Sequence, residues 1–169
     1  MSRVQMNRDG VRQLLVRARR EGFAVPAFNY SDVWDFLAIV EAAAEMSAPI
    51  FVSSHQMVVE AIGVKVCAAI GAAAMEAART PLIHHLDHSK SIDVCLAAAD
   101  SGYPSVMIDA SMLPLEENIA AVRRVAEHAH RLGVHVEGEV GRIKGVGYEG
   151  GYAGDAFLAR VEDVVRMVT

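Results

Sequence analysis

The sequence has little of what marks secreted, membrane-spanning or nucleic-acid-binding chains. It holds two cysteines in 169 residues, too few to staple a small scaffold. Cys67 and Cys95 both fall within helical patterns and are not spaced as a metal pair, so each reads as a small buried apolar residue in a reducing compartment. No apolar run approaches the roughly 20 residues that cross a bilayer, and the opening Met1-Ser2-Arg3 stretch lacks the apolar core of a signal peptide. Basic charge is also scarce: 16 Lys and Arg stand against 21 Asp and Glu, a net charge of -5. The one cluster, Arg17, Arg19 and Arg20, reads as a solvated helix end, so there is no electrostatic footprint for nucleic acid. These absences lead to the expectation of a cytoplasmic protein with no nucleic-acid or membrane partner. What is abundant is apolar side chain, 53% of the residues, enough for one sizeable core and against disorder.

Short β-prone runs alternate with longer stretches of helical period, the pattern of a parallel sheet covered by helices. Five units can be counted within a single domain over residues 1–169. Val11, Leu14, Leu15 and Ala18 line one face of a first helix, which leads to a short strand in residues 24–28. Ser31 or Asp32 caps a helix carrying Val33, Phe36, Leu37 and Val40. A strand at residues 49–53 precedes one Ala-rich helix ending near Ala78. A third strand at residues 81–86 precedes a helix with Ile92, Cys95, Leu96 and Ala99. The fourth, residues 106–108, precedes a helix opened by Pro114 with Leu115, Ile119, Val122 and Ala126 on its buried face. Val134 to Val136 begin the fifth strand, and the Gly-rich stretch from Gly141 to Gly154 reads as a loop. Val161, Val164, Val165 and Val168 form a last amphipathic segment. The short, nearly all-apolar strands fit a sheet covered on both faces, either doubly wound or a barrel, and periodicity alone does not choose between them.

Polar residues gather where strands end. The third strand runs into Asp87 and His88, the fourth into Asp109, the fifth into Glu137-Gly138-Glu139. Adjacent strands lie about 4.8 Å apart, so side chains from successive ends can converge. Strict alternation sends Asp87 and His88 to opposite faces, so both reach one pocket only where the pleat no longer sets direction. His88, Asp109 and Glu139 fit either a divalent-metal neighbourhood or a set of helix caps. Asp87 fits a general acid/base or, better on pattern alone, the N-cap of the helix that follows. His84 and His85, inside a strand, read first as satisfied core residues, and His128, His130 and His135 as peripheral structural ones.

Taken in order, Val25-Pro26-Ala27-Phe28-Asn29, Leu86-Asp87-His88, Ser105-Val106-Met107-Ile108-Asp109-Ala110-Ser111, Glu116-Glu117-Asn118-Ile119 and Val136-Glu137-Gly138-Glu139-Val140-Gly141 closely resemble the class II, zinc-dependent fructose- and tagatose-bisphosphate aldolases. The resemblance runs from about Asp9 to Thr169. It implies an α/β fold, a (β/α)8 TIM barrel of which about five units are present. It implies reversible aldol cleavage of a ketose bisphosphate into dihydroxyacetone phosphate and an aldehyde, the zinc polarising the ketone. By the same resemblance His88 is a zinc ligand, Asp109 and Glu139 line a second metal position, Asp87 moves the proton on the aldehyde oxygen, and Asn29 lies near substrate. The carbon-acid base comes from the Gly-rich loop, where Glu149 is the nearest match and Asp155 an alternative. His55 departs from the family, which has a small hydroxyl residue there.

The family continues through three further strands bearing two more zinc histidines and a Gly-Gly-Ser phosphate turn. The chain by itself is therefore expected to be inactive, with unpaired sheet edges and a tendency to self-associate as a homo-oligomer. A non-catalytic barrel fragment or subunit that binds a partner chain is the alternative reading.

Overall fold

The computed structural model describes residues 6–142 and 158–169. Its core is one sheet of five parallel strands in the order β1 to β5: β1 (Ala27–Asn29), β2 (Ile50–His55), β3 (Leu82–Ser89), β4 (Ser105–Ile108) and β5 (His135–Gly138). Each strand pairs with the next in sequence, and the order never reverses. A doubly wound sheet requires such a reversal, so the order selects the barrel. Among the described residues, β1 and β5 each have one paired edge and one open edge.

The two faces of the sheet bury different partners, following the two-residue alternation of strand side chains. On the outer face Ile50, Val52, Leu82, Leu86, Val106 and Ile108 pack beneath helices in the main core. On the inner face Phe51 and Ile83 meet Val11 and Leu14 of α1 (Arg8–Glu21), which plugs the interior below the site. That helix begins where the Asn7 side chain accepts the Gly10 N–H at 3.0 Å, and it ends at Gly22 with φ 74°, a conformation that glycine adopts without strain. Asp32 caps α2 (Val33–Glu45), accepting the N–H groups of Trp34 and Asp35 at 2.8 and 3.0 Å.

Several sequence expectations need correction here. The Ala-rich stretch is two helices, α3 (Gln56–Ile62) and α4 (Val64–Ala77), split at Gly63 with φ 91°. The helix after β3, α5 (Ile92–Asp100), is capped by Ser91, whose hydroxyl accepts the Val94 N–H; Asp87 is not the cap. In α6 (Leu115–Ala129) the buried face runs through Asn118, Ile119, Ala121, Val125 and Ala129, so Leu115, Val122 and Ala126 lie at its margin. The last segment is α7 (Val161–Val168), and its valines are only half covered or exposed. On α2, Phe36 is buried while Val33 and Leu37 are exposed. Cys67 and Cys95 are buried and unpaired. No single described helix is long and apolar enough to cross a membrane.

Candidate active site

Strand β3 runs past the point where its pleat would have stopped being useful. His85 and Asp87 are two residues apart and share the inner face. His88 should then point outward, but its backbone takes φ 45° and the β3–β4 register shifts between Leu86 and Ser89. A non-glycine residue in this left-handed region costs roughly 1 kcal/mol or more. Pairing resumes at once, with the Asp109 N–H donating to the Ser89 carbonyl at 2.8 Å. The local cost turns His88 to the carboxyl ends of the strands, next to Asp109 from β4 and Glu139 from β5.

One donor atom from each of His88, Asp109 and Glu139 lies within 4.8 Å of the others. His88 Nδ1 is 3.3 Å from Asp109 Oδ2 and 3.8 Å from Glu139 Oε2. Ligands bound tetrahedrally at the usual 2.0–2.1 Å lie about 3.4 Å apart, so a small contraction of this triangle suffices to seat a zinc-sized ion. One imidazole and two carboxylates are also the donor chemistry of a borderline or hard divalent cation. The residues present therefore fit a metal.

The electrostatics agree with the geometry. The His88 imidazole is raised above its ordinary value, first by its hydrogen bond with Asp109 and against its partial burial. Burial alone would raise Asp109, but hydrogen bonds from His88 and from the Ser111 hydroxyl and N–H overcome it and hold the carboxyl at about 2. Glu139 is raised by burial and then by the Asp109 charge, and Glu137 by burial and then by Asp87. Acids that resist ionising beside one another mark a field that welcomes a cation.

Around this triangle, second contacts fix the ligands. The Ser111 hydroxyl donates to Asp109 Oδ1 at 2.7 Å, and Asn118 Nδ2 donates to the Glu139 carbonyl at 2.8 Å, tying the end of β5 to α6. Asp87 stands beside the cluster, where Asn29 Nδ2 from β1 donates to its Oδ2 at 3.1 Å. The sequence placed Asn29, Asp87, His88, Asp109 and Glu139 at strand ends, and the fold brings all five to one rim. Sequence reasoning did not single out Ser105, Ser111 or Asn118, while His85 lies buried as read, bonded to Ser105. His84 does lie in the outer core. The Gly-rich loop, with Glu149 and Asp155, lies outside the described residues. His55 caps α3 through its own ring, Nδ1 accepting the Met57 N–H at 3.3 Å.

Strands in barrel order with an ionisable cluster at their carboxyl ends define a (β/α)-barrel enzyme type, whose chemistry sits at that rim. Residues 9–169 match the family described as fructose-bisphosphate aldolase class-II. The chain belongs to that family. It is 38% identical over 161 residues to the 6-phospho-5-dehydro-2-deoxy-D-gluconate aldolase of Bacillus velezensis, covering 94% of this chain and 55% of that protein. It is 40% identical over 134 residues to the fructose-bisphosphate aldolase of Thermus caldophilus, covering 79% and 44% respectively. A crystal structure of a protein assigned as a fructose-1,6-biphosphate aldolase from Coccidioides immitis superposes with a TM-score of 0.83 at 29% identity, over 92% of this chain and 55% of that one. The chain thus spans about half the length of the curated relatives it matches.

Proposed function

We propose that the protein is a class II aldolase that cleaves a phosphorylated ketose reversibly into dihydroxyacetone phosphate and an aldehyde, with zinc as its metal. The observation that carries this reading is the convergence of His88, Asp109 and Glu139 on one point, with Asp87 alongside. His88 would hold the catalytic ion, and Asp109 and Glu139 would line the second position beside it. Zinc bound there supplies a Lewis acid for the ketone oxygen.

The remaining work falls to side chains. Asp87 hands a proton to and from the aldehyde oxygen, a task suited to a carboxyl held in place by Asn29 at the edge of a cation site. Asn29 itself lies near the substrate. Glu149 takes the proton from the carbon acid. A catalytic zinc takes three protein ligands and keeps one position open. His88 is one of them, and further histidines complete the set in the working enzyme. In this reading the enzyme is a cytoplasmic homo-oligomer.

The substrate is a ketose bisphosphate of the fructose or tagatose type, and the Bacillus velezensis relative adds 6-phospho-5-dehydro-2-deoxy-D-gluconate to the panel to be tried. The test is metal content and cleavage of the three substrates by the intact protein, before and after chelation, with an Asp87→Asn variant alongside. Cleavage that is lost on chelation and returned by zinc, with Asp87→Asn keeping its metal and losing at least about 100-fold in kcat, supports the reading. Full activity in metal-free protein contradicts it.

A further inference from the structure

Beneath the acid/base carboxylate the inner face of the sheet carries a chain of polar side chains that the reaction scheme does not use. Ser105 of β4 lies between two histidines. Its Oγ is 2.8 Å from His85 Nδ1 on β3 and 3.3 Å from His135 Nδ1 on β5. The other nitrogen of His85, Nε2, faces two carboxylates, with Asp87 Oδ1 at 3.8 Å and Glu137 Oε2 at 3.7 Å. The His85 side chain is 4% exposed, so its ring cannot settle these contacts with bulk water.

Proton counting sets the direction of the chain. A neutral imidazole has one N–H, and a lone pair at Nε2 would face two carboxylate oxygens, so the proton belongs on Nε2. Nδ1 is then an acceptor and takes the single Ser105 hydroxyl proton. Ser105 Oγ, having donated, accepts the Nδ1–H of His135. Burial lowers both imidazoles, which keeps them neutral for this arrangement. The Asp87 carboxylate is then held at both ends: Oδ2 takes the Asn29 amide at 3.1 Å, and Oδ1 faces the His85 N–H. At 3.8 Å the second contact is longer than a hydrogen bond, and a small ring rotation closes it.

We propose that His85 is a positioning residue, its Nε2–H tautomer fixed by Ser105 and aimed to hold the Asp87 carboxylate against rotation, with Glu137 as the competing acceptor. This rests on the aldolase reading of Asp87. A proton-transfer group displaced by about 1 Å loses on the order of 100-fold in rate, so a clamp on its free oxygen acts on turnover more than on binding.

The test uses the intact protein labelled with 15N-histidine. Long-range proton–nitrogen correlation reads the His85 tautomer directly, without reference to activity, and the expected signature is Nε2–H. In kinetics, His85→Leu lowers kcat about 100-fold with KM and metal content unchanged. His85→Gln, whose amide N–H reaches the Nε2 position, restores most of that loss. Ser105→Ala lowers kcat about 10-fold in the wild-type background and has no effect in the Gln background, where no tautomer remains to be fixed. An Nδ1–H signature in an active wild-type protein overturns the role of His85, as does an equal Ser105→Ala loss in both backgrounds. Failure of the wild-type protein to cleave any of the three substrates defeats the aldolase reading instead.

Discussion

Replacing Gly71 with alanine puts a methyl group where the structure has no space for one. Gly71 lies in α4, facing the His84 ring on the outer side of β3. A Cβ at this position would lie 2.1 Å from His84 Nδ1, 2.5 Å from Cγ and 2.9 Å from Cε1. The ring has nowhere to retreat. Tyr103 stacks on it with centroids 4.2 Å apart, Phe36 meets it edge-on, and the Tyr30 hydroxyl is 3.1 Å from Nε2. Glycine to alanine within a helix gains about 1 kcal/mol on its own. Against this, overpacking a core costs about 1–3 kcal/mol, and displacing His84 from Tyr30 leaves a buried polar partner at a further cost of about 1–3 kcal/mol. The net expectation is a destabilisation of about 1–5 kcal/mol, read from urea denaturation of the intact protein by circular dichroism. In a His84→Ala background the same substitution should be neutral or stabilising by up to about 1 kcal/mol, because the obstructing ring is gone. Equal or greater stability of Gly71→Ala with His84 in place would refute the reasoning.

Acid should weaken the fold through His84. Burial lowers this imidazole to about 3, so stability is complete above the unfolded value near 6.5 and falls as pH drops, because the unfolded chain takes up a proton that the folded one refuses. The loss is about 2 kcal/mol between pH 6.5 and 4.5, and urea midpoints across that range should fall less steeply for His84→Asn than for wild type. Asn118→Leu, which removes the 2.8 Å bond to the Glu139 carbonyl, should weaken zinc binding about 10-fold by calorimetry while leaving the circular dichroism spectrum unchanged. Ser111→Ala should have a similar effect through Asp109, since it deletes the 2.7 Å hydroxyl contact. Unaltered affinity in both variants would show that these contacts do not orient the ligands.

The element order was legible in the sequence because apolar periodicity reports which faces are buried and strand ends report where polarity gathers; the barrel followed only from the family resemblance, and the unreversed strand order settles it. Asp109 and Glu139 could be placed because each follows a clearly bounded apolar run. His88 could be named but not aimed, since alternation directs it outward and only the left-handed backbone and register shift turn it to the rim. Asp87 looked like a cap because caps are local; Ser91, four residues on, was the equally local and correct choice. The split at Gly63 escaped because helix formers continue on both sides of it. In α6 two overlapping stripes share Ile119, and small Ala121 and Ala129 give little hydrophobic signal for the one that is buried. The His85, Ser105 and His135 chain depends on register between three strands, with His85 opposite Ser105 and Ser105 opposite His135. Two-residue alternation puts each on an inner face, but only pairing puts them side by side.

The whole account depends on three side chains from successive strands meeting at one metal centre, His88 on the catalytic ion and Asp109 and Glu139 lining the position beside it. A crystal of the zinc-loaded intact protein, measured at the zinc absorption edge, tests this directly. The account predicts an anomalous peak within about 2.3 Å of a His88 ring nitrogen and next to the Asp109 and Glu139 carboxylates. A zinc-replete, active protein with its peak away from His88 would contradict it.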